Sequence, residues 1–212
     1  MRRGAWLVSG YGYRAGPTNR HKNSGMPNLA FNVRDNVLFK RNEDNVAYEV
    51  TSTQLPPMTG GAFTDLRLGR GHIREPHWHP NAWELHVIVA GEAEISVMCP
   101  DSPQLVNYRA KEGQVVFVPA GWWHWITPVS EKVHLHAFFN HEQPETVHGS
   151  DILRLTPPEV LQNAYNVNAA LAGKAFAPIT ESVRIGPAVP AHSEPGKPAT
   201  PGQPYLNEKK KT

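Results

Sequence analysis

"REPHWHPNAWELHVIVAG", residues 74–91, holds the most informative spacing in the chain. His77 and His79 stand two apart, so on a strand their side chains leave the same face and can reach one ion from neighbouring positions. Glu84 lies an odd number of residues further on, which is the opposite face of an unbroken strand. Pro80 and Asn81 break the strand first, and a bend at "HPNA" returns Glu84 to the same side. The run "ELHVIVA" that follows is strand-forming and stops at Gly91. On it His86, Ile88 and Ala90 share the face of Glu84, whereas Leu85, Val87 and Val89 point the other way. A strand apolar on both faces is covered on both faces, so an N-terminal strand or a second subunit is expected outside it, and with it a homodimer.

The flanking sequence repeats the same rhythm. Turn signals such as "LPPMTGG", "CPDSPQ", "KEGQ" and "PAGWW" separate short β-rich runs: "VAYEVTSTQ", "AFTDLRL", "AEISVMC", "QLVNYRA", "QVVFVP" and "KVHLHAFFN". Short strands at regular intervals predict an all-β antiparallel sandwich or barrel. In "GQVVFVPAGWWHWI", Pro119 and Gly121 make a tight turn after which an adjacent strand presents a third imidazole, His124. Three neutral imidazoles with one carboxylate suit Mn(II), Fe(II), Ni(II) or Zn(II) with positions left open for a ligand. Each histidine alone reads as a surface or core residue; their joint spacing overturns that. Trp78, Trp83, Trp122, Trp123 and Trp125 surround the set, and Trp78, Trp123 and Trp125 are expected to face away and pack.

Other features are weaker. His86 is expected to point inward beyond Glu84, bonding to a ligand or lining a cavity. His134 and His136 in "VHLHAFF" read as the polar face of a strand whose apolar face is Val133, Leu135 and Ala137, and His141 and His148 read as exposed. "TPPEVLQNAYNV" predicts a helix with Thr156 as N-cap, Pro157 at its first position and Glu159 closing a capping box. A second short helix follows in "NAALAGKAF". Length favours one domain: an arm over 1–27, one domain over 28–185 with its β core at about 45–140 and helices at about 156–176, and a proline-rich tail over 186–212. Met26, just ahead of the first strand-like patterning, is an alternative start.

Lys and Arg total 21 against 19 Asp and Glu, too even for a nucleic-acid-binding surface. Cys99 is the sole cysteine, so no intrachain disulfide forms, and a small buried hydrophobe is its expected role. "AWLV" is too short for a signal peptide core, and no stretch approaches the roughly 20 apolar residues that span a bilayer. A soluble, cytoplasmic protein is expected.

These residues carry a resemblance. The chain is similar to the cupins: their first motif, G(X)5HXH(X)3–4E(X)6G, is met by Gly71, His77, His79, Glu84 and Gly91. The second, G(X)5PXG(X)2H(X)3N, is met by Gly113, Pro119, Gly121 and His124, with Pro128 in place of the closing asparagine. "REPHWHPNAWEL" further resembles the oxalate decarboxylase branch, and "TPPEVLQNAYNV" the helical stretch after its barrel. The resemblance implies an all-β antiparallel double-stranded β-helix, the jelly-roll barrel of that family, with short C-terminal helices; a Mn(II) site on His77, His79, Glu84 and His124; and oxalate and dioxygen as substrates. It implies that Arg74 holds the substrate carboxylate, for which a guanidinium has the matching planar donors. The branch places a proton-donating glutamate in a lid after the last barrel strand. Here that stretch reads "NHEQPETVHGSD", where Glu142 and Glu145 are the available acids outside the branch's own lid pattern. Those decarboxylases carry two barrels and this chain one, as germins do. Oxalate decarboxylation or oxidation, an Fe or Ni dioxygenase or isomerase, and a non-catalytic metal- or sugar-binding protein are the three readings that follow.

Overall fold

A computed structural model describes residues 28–187. The expected arm over 1–27, the alternative start at Met26 and the tail beyond 187 lie outside the described residues. Two antiparallel sheets face each other in a jelly-roll sandwich. The first contains β1 (Val37–Asn42), β2 (Asn45–Val50), β3 (Ala62–Gly69), β5 (Glu84–Ala90), β8 (Val115–Val118) and β10 (Lys132–Phe139), in the spatial order β1-β2-β3-β10-β5-β8. The second runs β11-β4-β9-β6-β7, from β4 (Ile73–Trp78), β6 (Glu92–Cys99), β7 (Gln104–Lys111), β9 (Trp123–Pro128) and β11 (Val147–His148). A further short strand, β12 (Ile185–Gly186), pairs with β4.

Period-two patterning makes these strands and orients them. On β10, Val133, Leu135, Ala137 and Phe139 are buried, while His134 and His136 lie on the outer face as expected. On β5, Glu84, His86 and Ile88 are buried and Leu85, Val87 and Val89 half-buried. Cross-strand register then stacks the inward positions into layers. Leu68 and Val133 pair at one end; Ala47, Leu66, Leu135 and Ile88 form the next layer; Glu49, Thr64, Ala137 and His86 the third; Ala62, Phe139 and Glu84 the last. In the opposite sheet Ile95, Ile126 and Arg74 form one layer, and Val97, His124 and His77 the next. The interior is thus apolar at one end and polar at the other. The apolar end holds the sheets together, each fully buried Leu or Ile contributing about 1.5–3 kcal/mol, and leaves the other end free to carry a site.

Three helices follow the β core: α1 (Gly149–Leu155), α2 (Pro158–Tyr165) and α3 (Ala169–Phe176). Helix α3 matches expectation, with Asn168 capping Leu171 N. The start of α2 does not. Thr156 terminates α1, its hydroxyl donating to the Ile152 carbonyl at 2.6 Å, and Pro157 is the N-cap of α2 without a side-chain cap bond. Two adjacent prolines shift the first helical turn by one residue, because Pro157 presses Thr156 out of the helical region. No helix among the described residues is long and apolar enough to cross a membrane. Cys99 is half-exposed at the end of β6 rather than buried, because the strand runs out into the turn that leads to β7.

Candidate metal centre

The four residues singled out by spacing come from four places in the fold. His77 lies near the end of β4 and pairs directly with His124 on β9. His79 follows β4 in the bend, where its carbonyl accepts from Gly121 N at 2.8 Å and so ties the two motifs together. Gly121 takes φ +79°, a left-handed conformation that favours glycine. Glu84 opens β5 in the facing sheet. All four are buried, and one ligand atom from each lies within 4.8 Å of the others.

Their protonation geometry is more telling than proximity. His77 Nδ1 lies 2.6 Å from the Glu75 carbonyl, His79 Nδ1 2.7 Å from the Glu145 carbonyl, and His124 Nδ1 2.9 Å from the Trp122 carbonyl. A carbonyl oxygen only accepts, so each Nδ1 carries the proton and each Nε2 presents a lone pair. These Nε2 atoms meet Glu84: His124 Nε2 lies 2.8 Å and His79 Nε2 3.3 Å from Oε2. Burial, with Arg74, His124 and His79, pushes His77 well below its ordinary value of 6.5, so it is neutral. Burial pushes Glu84 up, but His86 and the contacts from His124 and His79 outweigh it and hold the carboxyl well below its ordinary 4.5. Three imidazole nitrogens and a carboxylate thus converge in one buried space, where a cation could be shared among them. The donor set therefore fits a divalent ion of the Mn, Fe, Ni or Zn kind. His86 is buried as expected, with Nε2 at 3.0 Å from Glu84 Oε1.

Above the four lies a cavity of about 230 Å³, bounded by β1, β2, β3, β10 and the 144–146 and 184–185 segments. Arg74 lines it together with His79 and Glu84. Its Nη1 donates to the Arg184 carbonyl at 3.0 Å, which aims the side chain. Burial, opposed by Glu84, reinforced by the neighbouring Arg184 and opposed again by Glu75, pushes the guanidinium down to about 10, so it stays charged at neutral pH.

The two acids suggested for proton delivery stand elsewhere. The Glu142 carboxylate accepts from Gly60 N at 3.0 Å, and its own and the Gly60 amide hold it below its ordinary value. The Glu145 side chain is exposed, and its contribution to the centre is the backbone carbonyl that accepts a hydrogen bond from His79 Nδ1–H. Neither carboxyl lines the cavity, although Pro144 and Thr146 beside them do. Two charged cavity residues escaped the sequence reading: Glu49 on β2 and Arg184 before β12. Glu49 offered only an inward strand position and Arg184, in the bend before β12, offered none, so both need the register of β2 and β12 to interpret.

His148, expected at the surface, is buried beneath α1 with Nδ1 2.8 Å from Glu75 Oε1. Ser150 N and Oγ donate to the same carboxylate at 3.1 and 3.0 Å. The α1 helix covers this outer face of β4, which is why the histidine is enclosed. The tryptophans behave as packing residues: Trp78 and Trp123 pack with tilted rings, centroids 5.4 Å apart, Trp83 meets Phe117 at 5.4 Å, and Trp122 packs on the core.

Comparison with known proteins agrees with this architecture. The family model described as Cupin matches residues 31–172. Among curated proteins, oxalate decarboxylase of Bacillus subtilis is 29% identical over 124 residues, covering 57% of this chain and 32% of that protein. Legumin K of Pisum sativum is 28% identical over 108 residues, covering 48% of this chain and 29% of that protein. The chain thus spans about a third of the length of these curated relatives. Among solved structures, a Bacillus subtilis oxalate decarboxylase studied for its Mn(II) centres superposes with TM-score 0.64 at 19% identity, covering 74% of this chain and 41% of that one.

Proposed function

Because this chain belongs to the cupin family, we propose that it is a metal-dependent enzyme acting on a small carboxylate, with oxalate the first candidate, by decarboxylation to formate and CO2 or by oxidation. The observation that carries this reading is the convergence of three Nε2 lone pairs on the Glu84 carboxylate, with each tautomer held by a backbone carbonyl. His77, His79, Glu84 and His124 would hold the ion, Mn(II) being the candidate suggested by the decarboxylase likeness, with Fe(II), Ni(II) and Zn(II) compatible with the same donors. A divalent ion there would polarise a bound carboxylate and leave positions open for it and for dioxygen.

The chain's own residues supply the rest. Arg74 offers paired donors to the carboxylate from the cavity wall. His86 keeps Glu84 oriented. Phe39, Leu66, Phe139 and Ile185 on the walls limit water beside the site, which strengthens both contacts. Proton return to the substrate falls to Glu142 or Glu145 once the 140–146 segment turns inward. A homodimer, with a second copy over the half-buried outer face of β5, is part of the same proposal, as is a cytoplasmic location.

A second reading is a non-catalytic binding cupin. It draws support from the likeness to legumins and from the placement of both lid acids outside the cavity. Metal analysis of protein purified without added ions, followed by formate and peroxide assays on oxalate, separates the readings. Manganese with formate supports decarboxylation and peroxide supports oxidation. A loaded protein yielding neither product removes oxalate chemistry.

A further inference from the structure

The outer face of the first sheet carries a second group of metal-ligating side chains, which the centre between the sheets does not use. His134 and His136 stand two apart on β10 and both leave that outer face, whereas Leu135 and Ala137 between and beyond them face the interior. On β3, Asp65 is the direct cross-strand partner of His136, and Arg67 that of His134. Asp65 is therefore opposite one imidazole and diagonal to the other, within side-chain reach of both. One ligand atom from each of Asp65, His134 and His136 lies within 4.8 Å of the others.

The group is short of partners. The Asp65 side chain is only 8% exposed and meets His134 Nε2 at 2.8 Å, which among the described residues is the one hydrogen bond to its carboxylate. Arg67 Nε stands 3.6 Å from Oδ1, beyond hydrogen-bond reach, and is itself buried without a partner among the described residues. A carboxylate accepts at about four lone-pair sites, so most of this one's capacity is unspent. His136 makes no ring hydrogen bond among the described residues; it packs T-shaped against Phe63 at 4.9 Å and His134 at 5.0 Å. Burial, then His134, holds His136 below its ordinary 6.5, opposed by Asp65 and reinforced by Arg67, so the ring is neutral at pH 7 and offers a lone pair. A cleft of about 240 Å³, lined by Glu43, Asp44, Arg67, Lys132 and His134, gives access from solvent.

We propose that Asp65, His134 and His136 form a second cation site, separate from the one between the sheets, that takes Zn(II) with water in the fourth position. Two imidazoles and a carboxylate are a three-donor set that suits this ion and its tetrahedral preference. Bonds of about 2.0–2.2 Å set such donors roughly 3.4 Å apart, so the His134–Asp65 contact opens slightly as the ion replaces the shared proton. Arg67 is the cation nearest Asp65; its side chain is 35% exposed and turns its charge toward water as zinc enters. The bound ion ties β3 to β10 on the face opposite His77, His79, Glu84 and His124.

The test counts zinc per chain, by elemental analysis after equilibrium dialysis of the full, untagged chain at saturating free Zn(II). A variant carrying His134→Gln and His136→Gln is expected to hold one zinc fewer than the wild type, and His79→Ala to retain the ion that the double variant loses. Equal zinc in the double variant and the wild type, or loss of this same ion in His79→Ala, overturns the inference. Should the double variant fail to fold, His136→Gln alone carries the test, since that ring makes no hydrogen bond to lose. Its zinc affinity at this site is expected to fall by about tenfold or more, as ligand loss outweighs changes behind a ligand, and an unchanged affinity overturns the site. The count is per chain, so it reads the same in a monomer and in a dimer.

Discussion

Arg74 and His77 both face the interior although they stand three residues apart on β4, because the strand bulges between them. Arg74 pairs with Ile126 and His77 with His124, so between these pairs two residues of β4, Glu75 and Pro76, oppose the single Trp125 of β9. The extra residue falls at Glu75–Pro76, where proline removes a ladder donor. On a regular strand one of the two side chains would point outward. The bulge also turns Glu75 to the outer face, where it meets His148 and Ser150.

Arg74→Lys is expected to keep the metal and weaken carboxylate binding by about tenfold, since a point charge cannot form the paired contact. Metal content and oxalate affinity, measured on the same sample, check it. Unchanged affinity would remove Arg74 from the site.

His79→Ala is expected to lower metal affinity on the order of a hundredfold or more, a larger loss than second-layer changes produce. Elemental analysis after dialysis against a weak chelator reads it. Full occupancy in the variant would mean that the ligand set is misassigned.

Acid is expected to destabilise the metal-free protein in two stages. His77 has its folded value well below 6.5, so beneath that pH the unfolded chain binds more protons and stability falls as pH drops. Glu84 is depressed below 4.5, so its contribution is present above that pH and is lost as pH falls through the folded value. Melting temperature followed from pH 7 downward should decline from about 6.5, whereas His77→Gln should flatten the first stage.

Glu75→Ala leaves His148 enclosed without its carboxylate and α1 without its anchor. Breaking a buried pair costs about 3–5 kcal/mol, so denaturant titration should show a loss of that order. The His77 tautomer is held by the backbone carbonyl of residue 75, which the substitution retains, so metal content should persist.

Gly91 takes φ +81°, and a Cβ there would overlap the Lys132 carbonyl. Gly91→Ala is expected to cost about 1–3 kcal/mol, read as a lowered unfolding midpoint. An unchanged midpoint would show that the β5–β6 turn relaxes freely.

Much of the centre could be read locally. His77 and His79 are joined by a two-residue period, and Pro80 and Asn81 announce the bend that returns Glu84. What misled local reading was contact made at a distance. Thr156 has the chemistry of an N-cap, but its hydroxyl bonds back to Ile152 because a preceding helix ends there. His148 sits in a polar stretch and is buried because α1 folds over it. Glu142 and Glu145 are next to the last long strand in sequence, yet Gly60 and Asn81 hold the segment so that both carboxyls miss the cavity.

The amino-acid order alone established the alternating faces, the turn positions and the identity of the donors, because each depends on bonds and sterics within a few residues. Which acid and which second arginine share space with those donors was set by the pairing of β2 with β3 and of β12 with β4, and by the bulge in β4. Register between strands distant along the chain is chosen by the burial of whole faces at once, and no short stretch contains that information.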